Sequence, residues 1–442
     1  MSKRDRIVFD LFAGCGGLTT GLEKAEFKCG LVSELDEFAR QSFIENRHDM
    51  IGEKRFSDLT DLHFANINEI DEIAIKRVRS VISVNMKINN NFDVDLLTGG
   101  PPCQGYSGIG HRRNYHVERK DIPSNKLYEP MAKIIEIVKP KIFLFENVRG
   151  ILSGRWTVDG QKGEIWNDVL KRFRNISGYS VRWSLVEAKN YGVPQNRPRV
   201  LLVGIRNDII KSANLELKLD EHDAVSSGFL PKYSDRAAPD LIDLLSDLLD
   251  SKTEKILLSQ NFPQKFESRY YNSEPRNSIQ EGFRTKLDGS IIGKGSMLTE
   301  QEYSKHKPLV VEKFKSMHLS NGEIAEQYKT KKFSQRLLPM RWGNKGPTIT
   351  ATSLPDDYVH FCQPRILTVR EWARLQTFPD WYTFAGKRTT GGLRRAGNPT
   401  KGIFERELPK YTQIGNAVPV WLAEAVGRHF ADILNKSENL NG

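Results

Sequence analysis

Apolar residues along the first half of the chain follow two alternating rhythms. Ile7 to Phe12 is a short β-branched and aromatic run. It ends in Ala13-Gly14-Cys15-Gly16-Gly17, and Leu18 to Phe27 then carries apolar residues at helical spacing. That order predicts strand, glycine turn and helix. A second strand over Gly30 to Ser33 delivers Glu34 at its end, and a helical pattern continues to about Asn46. The alternation returns with strands at Phe92 to Thr98, Lys141 to Phe145, Tyr179 to Val186 and Val200 to Ile205. Helices at Met131 to Val138 and around Ile165 to Phe173 separate them. Strands alternating with helices predict an α/β fold built on an open sheet.

After Arg206 the rhythm is lost. Residues 207–340 are polar, charged and irregular, with one helical pattern at Asp240 to Leu249, and regularity returns at Pro364. A helix over Trp421 to Phe430 closes the pattern, and Lys436 to Gly442 is expected to fray. The chain therefore divides into a regular α/β part at 1–206, a smaller irregular region at 207–340, and a return to regular structure at 341–442. No internal repeat is visible.

Composition narrows the partners. The chain has 442 residues, with 66 Lys and Arg against 55 Asp and Glu and a formal net charge of +11, which favours a polyanionic partner. No apolar run approaches a membrane span and the first ten residues lack a signal-peptide core, so no membrane association and a cytoplasmic location are expected. The four cysteines, Cys15, Cys29, Cys103 and Cys362, form neither a C-x-x-C pair nor a Cys/His cluster, which argues against disulfides and a structural metal.

Cys103 has a distinctive collar. In Gly99-Gly100-Pro101-Pro102-Cys103-Gln104-Gly105-Tyr106-Ser107 the prolines fix φ and remove two backbone donors, so the thiol sits on a stiff turn after a buried strand. A positioned nucleophile needs that stiffness, whereas a buried structural cysteine does not. The turn at Gly14, Gly16 and Gly17 can admit either a dinucleotide pyrophosphate or a nucleoside with a charged tail. It lacks the full G-x-G-x-x-G spacing, and Glu34 stands where ribose hydroxyls are usually met, which favours an adenosyl ligand.

Six segments then line up in order: Phe9 to Gly17, Gly100 to Ser107, Glu146-Asn147-Val148, Gln195-Asn196-Arg197-Pro198-Arg199, Arg365 to Asp380, and Gln413 to Pro419. Together they resemble the signature motifs of the DNA (cytosine-5)-methyltransferases, closely over 5–206 and 364–430. The resemblance implies a Rossmann-like S-adenosylmethionine-dependent methyltransferase sheet, with the irregular middle as the variable target-recognition region. It also implies the chemistry. Carbon 5 of cytosine is a poor nucleophile, and addition of the Cys103 thiolate at carbon 6 would turn the ring into an enamine. Glu146, with its pKa raised by burial, would donate at ring nitrogen 3, and Arg199 would hold the base oxygen. Arg197 and Gln195 would orient the Glu146 side and the loop.

S-adenosyl-L-methionine is the implied cofactor. Phe12 would pack on the adenine, Gly14, Gly16 and Gly17 would admit the methionine portion, and Glu34 would take the ribose. Pro102, Asn416 and Val418 would complete the pocket. The Gly-Asp-Ile element usual in the family is missing, and of Asn66 and Asp58 we prefer Asn66 for the adenine amino group. The long interval from Asn66 to Cys103 reads as a surface insertion.

A cytosine in a duplex must be flipped out to reach such a pocket. Gln104, Ser107, Arg112 and Arg113 would meet DNA after the nucleophile, with Gln195 nearby. Arg394 and Arg395 belong to a second basic run from Lys387 to Lys410, which holds seven Lys and Arg against two Glu. Base readout is expected within 207–340. The expected partners are double-stranded DNA and a separately acting cognate restriction endonuclease, with the protein a monomer. A tRNA cytosine-5 methyltransferase and a catalytically silent DNA-binding regulator are the competing readings. An NAD-dependent oxidoreductase is more distant.

Overall fold

The computed structural model describes residues 5–48, 50–102, 119–213, 222–233, 236–249, 267–329, 335–341, 347–349, 357–390 and 407–439. Seven strands form the main sheet: β1 (Arg6–Leu11), β2 (Phe27–Ser33), β3 (His63–Phe64), β4 (Leu96–Gly99), β5 (Ile142–Val148), β6 (Tyr179–Glu187) and β7 (Pro198–Arg206), in the order β3-β2-β1-β4-β5-β7-β6. All neighbours run parallel except β7, which is antiparallel to both β5 and β6. The α/β expectation thus holds.

Alternate residues of each strand feed opposite faces, and helices cover both. On one face Ile7, Phe9, Leu97, Phe143 and Phe145 pack with α3 (Glu72–Met86), α4 (Tyr128–Val138) and α5 (Glu164–Arg174). On the other, Val8, Leu96, Leu144, Leu201 and Val203 meet α1 (Gly17–Lys24) and α12 (Val420–Asn439). Covering on both sides explains why β1 is buried along its whole length. Asp36 and Asp71 start α2 (Glu37–Glu45) and α3 by accepting the Ala39 and Ala74 amides, the ordinary N-cap bond.

Several boundaries move from their predicted places. Strand β2 begins at Phe27, because Phe27 and Cys29 continue an apolar run that suits helix or strand alike. The interval before Cys103 is chiefly α3, whose Ala74, Ile75, Val78 and Ile82 are core residues, so it is not a surface insertion. The exposed Ile73 and Val84 blur its helical period. Helix α12 extends to Asn439, since Glu438 reaches the buried Lys141 at 3.4 Å and Asn435 accepts from Arg6 at 2.5 Å. After α6 (Asn207–Ser212) the Asp240–Leu249 pattern forms α7 (Leu241–Leu245) and then tightens into a 3-10 turn over Ser246–Leu248, and α8 (Ser278–Arg284) and α9 (Pro308–Leu319) follow.

A third apolar cluster joins α7, Tyr271 and Phe283 to α10 (Val369–Leu375), Phe378, Tyr382 and α11 (Lys410–Asn416), and it takes in Cys15 of the glycine turn. Beneath it Arg374 pairs with Asp247 and Asp380 at 2.5 Å each, and Arg284 pairs with Asp247 at 2.7 Å. Residues 222–230 belong elsewhere, because Ala224, Phe229 and Leu230 pack in the second cluster, against the sheet.

Candidate active site

The carboxyl ends of β1, β2 and β4 stand side by side, and the chain leaving each carries a predicted site residue. After β1, Phe12 and Gly14 take left-handed backbone conformations with φ of 59° and 57°. The turn is held by Ala13 donating to the Ser33 carbonyl and Gly16 to the Ala13 carbonyl, both at 3.0 Å. Its glycines are there for different reasons. A Cβ on Gly14 would meet open space, whereas one on Gly16 would strike the Arg47 guanidinium and Tyr382 hydroxyl, and one on Gly17 the Val418 carbonyl. Room for a ligand is therefore at Gly14, while protein fills the space beside Gly16 and Gly17.

Glu34 leaves β2 directly beside that opening. Its carboxylate accepts the Gly14 amide at 2.8 Å and the Asp36 amide at 2.9 Å. Burial pushes its pKa up, and those two donors partly oppose the rise. Asn66 is exposed just beyond β3, with its side-chain oxygen accepting the Asn68 amide at 3.0 Å. Asp58 precedes β3. Asn66 thus leaves the sheet at the same edge as Glu34, which Asp58 does not. Asn416 is exposed at the end of α11, and Val418 is largely buried with its carbonyl against Gly17.

The second half of the site comes from β4, β5 and β7. In the antiparallel register Val148 faces Arg199, and Glu146 lies two residues back on the same strand. Glu146 and Arg199 form an ion pair at 2.6 Å, each almost fully buried. Burial raises the Glu146 pKa, and Arg199 and then Arg197 oppose that rise. A Cβ on Gly100 would lie 2.9 Å from the Glu146 carboxylate, so the chain passes close to it three residues before Cys103. Asn147 donates to the Pro101 carbonyl at 3.1 Å and ties the start of the proline turn to β5. Pro102 is exposed. Cys103, Gln104, Ser107, Arg112, Arg113, Arg394 and Arg395 lie outside the described residues.

Gln195 requires a correction. It is fully buried, donates to the Leu375 carbonyl and the Gln376 side chain at 2.7 Å each, and accepts the Ile349 amide at 3.2 Å. With its amide spent on the protein interior, it is a strut and presents no face to DNA. Arg197 is equally buried and donates to the carbonyls of Ile349, Gly415 (2.7 Å) and Ala417 (2.9 Å). It ties β7 to the Asn416–Val418 segment.

Two further features escape a reading of the sequence. Asp10 is buried and accepts from the hydroxyls of Thr19 and of Thr98 (2.9 Å), joining β1, α1 and β4 under the turn, with its pKa pushed up to about 6 by burial. An aspartate inside the apolar run of β1 is a signal that could have found it. Arg47 and Tyr382 meet at Gly16 from distant segments, and no local pattern marks them.

Comparison with known proteins fits this arrangement. Residues 7–431 match the family described as C-5 cytosine-specific DNA methylase. The type II methyltransferase M.DdeI of Desulfomicrobium norvegicum is 29% identical over 438 residues, covering 96% of this chain and 88% of that protein. The type II methyltransferase M.XorII of Xanthomonas oryzae pv. oryzae is 26% identical over 440 residues, covering 97% and 85%. Among solved structures, a DNA modification methyltransferase encoded within an E. coli prophage has the same fold, with a TM-score of 0.63 at 22% identity over 97% of this chain and 99% of that one. With the family match running from β1 into α12 across every element of the site, the chain belongs to the C-5 cytosine-specific DNA methylases.

Proposed function

We propose that this chain methylates cytosine at a specific site in duplex DNA through a covalent adduct of Cys103, using S-adenosylmethionine. It serves as the modification enzyme of a restriction-modification pair whose endonuclease acts separately. The observation that carries the reading is the buried Glu146–Arg199 pair at 2.6 Å, set against the backbone of Gly100 where the chain enters the Pro-Pro-Cys turn. A carboxyl whose pKa is raised and a cation beside it are what a pyrimidine ring needs at nitrogen 3 and oxygen 2 as charge develops.

The rim around Gly14 fits the cofactor. It has open space at a glycine, a carboxylate fixed for a ribose at Glu34, an aromatic ring at Phe12 and the exposed Asn66 within the same edge. S-adenosylmethionine, when bound, supplies an electrophilic methyl group. The protein's own residues do the rest. The Cys103 thiolate bonds to carbon 6, the ring electrons move to carbon 5, and Glu146 supplies a hydrogen bond and proton at nitrogen 3. After carbon 5 is methylated, its hydrogen leaves as a proton to water, the electron pair re-forms the 5,6 double bond and expels the Cys103 thiolate, and the nitrogen 3 proton returns to Glu146. Arg197 acts as a positioning residue for Arg199 and Glu146. Duplex binding draws on the net positive charge, with Arg112, Arg113, Arg394 and Arg395 as phosphate contacts. The protein acts as a monomer in the cytoplasm.

The test uses fluorine, which cannot leave carbon 5 as a proton does. The methylated site is first located by bisulfite sequencing of DNA from expressing cells. A duplex carrying 5-fluorocytosine at that site is expected to become covalently joined to the protein only with S-adenosylmethionine present, and the adduct is expected to map to Cys103. A complex that dissociates in denaturant, or an adduct at Cys15, Cys29 or Cys362, overturns the mechanism.

A further inference from the structure

We propose that Arg47 and Tyr382 form a clamp that fixes the peptides of the glycine turn and so act as positioning residues for the cofactor, an inference that rests on assigning the Gly14–Glu34 rim to S-adenosylmethionine. Tyr382 donates its hydroxyl hydrogen to the Cys15 carbonyl at 2.6 Å, across 367 positions of sequence. The Arg47 guanidinium donates to the Gly16 carbonyl and the Thr20 hydroxyl at 3.1 Å each. Its other terminal nitrogen pairs with Glu23 on α1, and its central carbon Cζ lies 4.3 Å from the centre of the Phe43 ring. Two consecutive carbonyls are thus gripped from α1, from the segment after α2 and from the third apolar cluster.

The clamp adds to the bonds that start α1, since the Gly16 carbonyl also accepts the Thr20 amide at 2.9 Å and the Thr20 hydroxyl at 2.7 Å, and it extends that hold to the Cys15 carbonyl. Gly14 has no protein atom near the position of a Cβ, so its orientation depends on Glu34 and on the peptides that follow it. Those peptides are the ones the clamp holds. Stability alone is a weak reason for the arrangement, because a buried ion pair gains little over a well-packed apolar substitute. Arg47 is 2% exposed, so its charge is of no use as a surface contact for DNA either.

The test measures binding of S-adenosylhomocysteine to the DNA-free protein by titration calorimetry. Tyr382→Phe removes one hydroxyl without changing the ring, and Arg47→Met keeps volume while removing the fork. Loss of the hydroxyl that binds the Cys15 carbonyl and meets Arg47 is expected in Tyr382→Phe to raise the dissociation constant about three- to tenfold, with a larger rise in Arg47→Met. Duplex affinity should stay within about twofold, and kcat at saturating cofactor should hold while KM for S-adenosylmethionine rises. Arg47→Lys, which keeps charge without the fork, should recover little of the loss. Should Arg47→Met fail to fold, Tyr382→Phe decides alone. Glu34→Gln separates the two levels of inference. If it weakens S-adenosylhomocysteine binding and Tyr382→Phe does not, the clamp is overturned and the site stands. If neither variant weakens it, the site assignment fails and the clamp with it. A parallel fall in duplex affinity and thermal stability in Tyr382→Phe would show a structural tie only, and overturns the proposal.

Discussion

Buried carboxyl groups in this protein are driven in opposite directions by their neighbours. Glu371 receives both terminal nitrogens of Arg365 at 2.7 and 2.6 Å, and its pKa falls to about 2 despite full burial. Glu146 pairs with Arg199 at 2.6 Å, yet burial is the larger effect and its pKa rises. The first is a permanent anion of the interior and the second is able to hold a proton. Asp10 accepts from the Thr19 and Thr98 hydroxyls, with the Arg47 charge a weaker influence, and burial lifts it from 3.8 to about 6. The folded protein therefore holds this proton more tightly than the unfolded chain. Its contribution to stability is complete below pH 3.8 and lost as pH rises through about 6. The loss amounts to roughly 2–3 kcal/mol for a shift of this size. Denaturant midpoints measured from pH 4 to 8 should show the wild type losing stability relative to Asp10→Asn over that window, with a constant difference above it.

Helix α1 illustrates how one element answers to two masters. Its first residue, Gly17, lies against the Val418 carbonyl, and Gly21 lies against that of Val420. Gly17→Ala forces α1 away from the start of α12, and overpacking of this kind should cost about 1–3 kcal/mol in chemical denaturation. Gly14→Ala meets no protein atom and carries only the strain of its φ of 57°, about 1–2 kcal/mol. Its expected defect lies in S-adenosylhomocysteine affinity, so calorimetry and denaturation should rank the two variants in opposite order. Helix α10 owes its start to a capping box between Thr368 and Glu371, and Thr368 also donates to Gln301 at 2.7 Å. The same few residues set the helix start and its seat in the third cluster.

For the molecule as a whole, the apolar clusters divide the irregular middle differently from a cut at 207 and 340. Ile209, Ala224, Phe229 and Leu230 pack with the sheet, whereas Leu241, Leu248, Tyr271 and Phe283 pack with α10 and α11, and Phe314 and Met317 form a smaller cluster with Val359 and Ile366. Exchange of 207–340 for the equivalent stretch of a relative with another target should change the methylated site but lower the unfolding temperature. Exchange of 236–340 should change the site and lower the unfolding temperature less, because it spares the second cluster. Sequencing of the methylated DNA and a thermal scan check both, and an active chimaera with unchanged site choice would place base readout elsewhere. The long-range bonds of Arg197, Gln195, Gln376 and Tyr382 join the sheet and the glycine turn to the C-terminal segments.

The α/β alternation, the strand that delivers Glu34 and the order of the six motifs were all legible in the chain, because each depends on residues close in sequence and on a period of 2 or 3.6. Short or mixed signals hid β3 and α3, where two residues are too few to show a period and exposed Ile73 and Val84 spoil one. The roles of Gln195, Arg47 and Tyr382 were not legible, since a buried amide or guanidinium looks like a surface residue until its partners are known. Tertiary structure alone decided those, because hydrogen bonds to backbone carbonyls such as those of Leu375, Gly16 and Cys15 leave no trace in residue type. It also decided that Gly14 is the open glycine and Gly17 the packed one, a difference set by what folds against each rather than by the glycine itself.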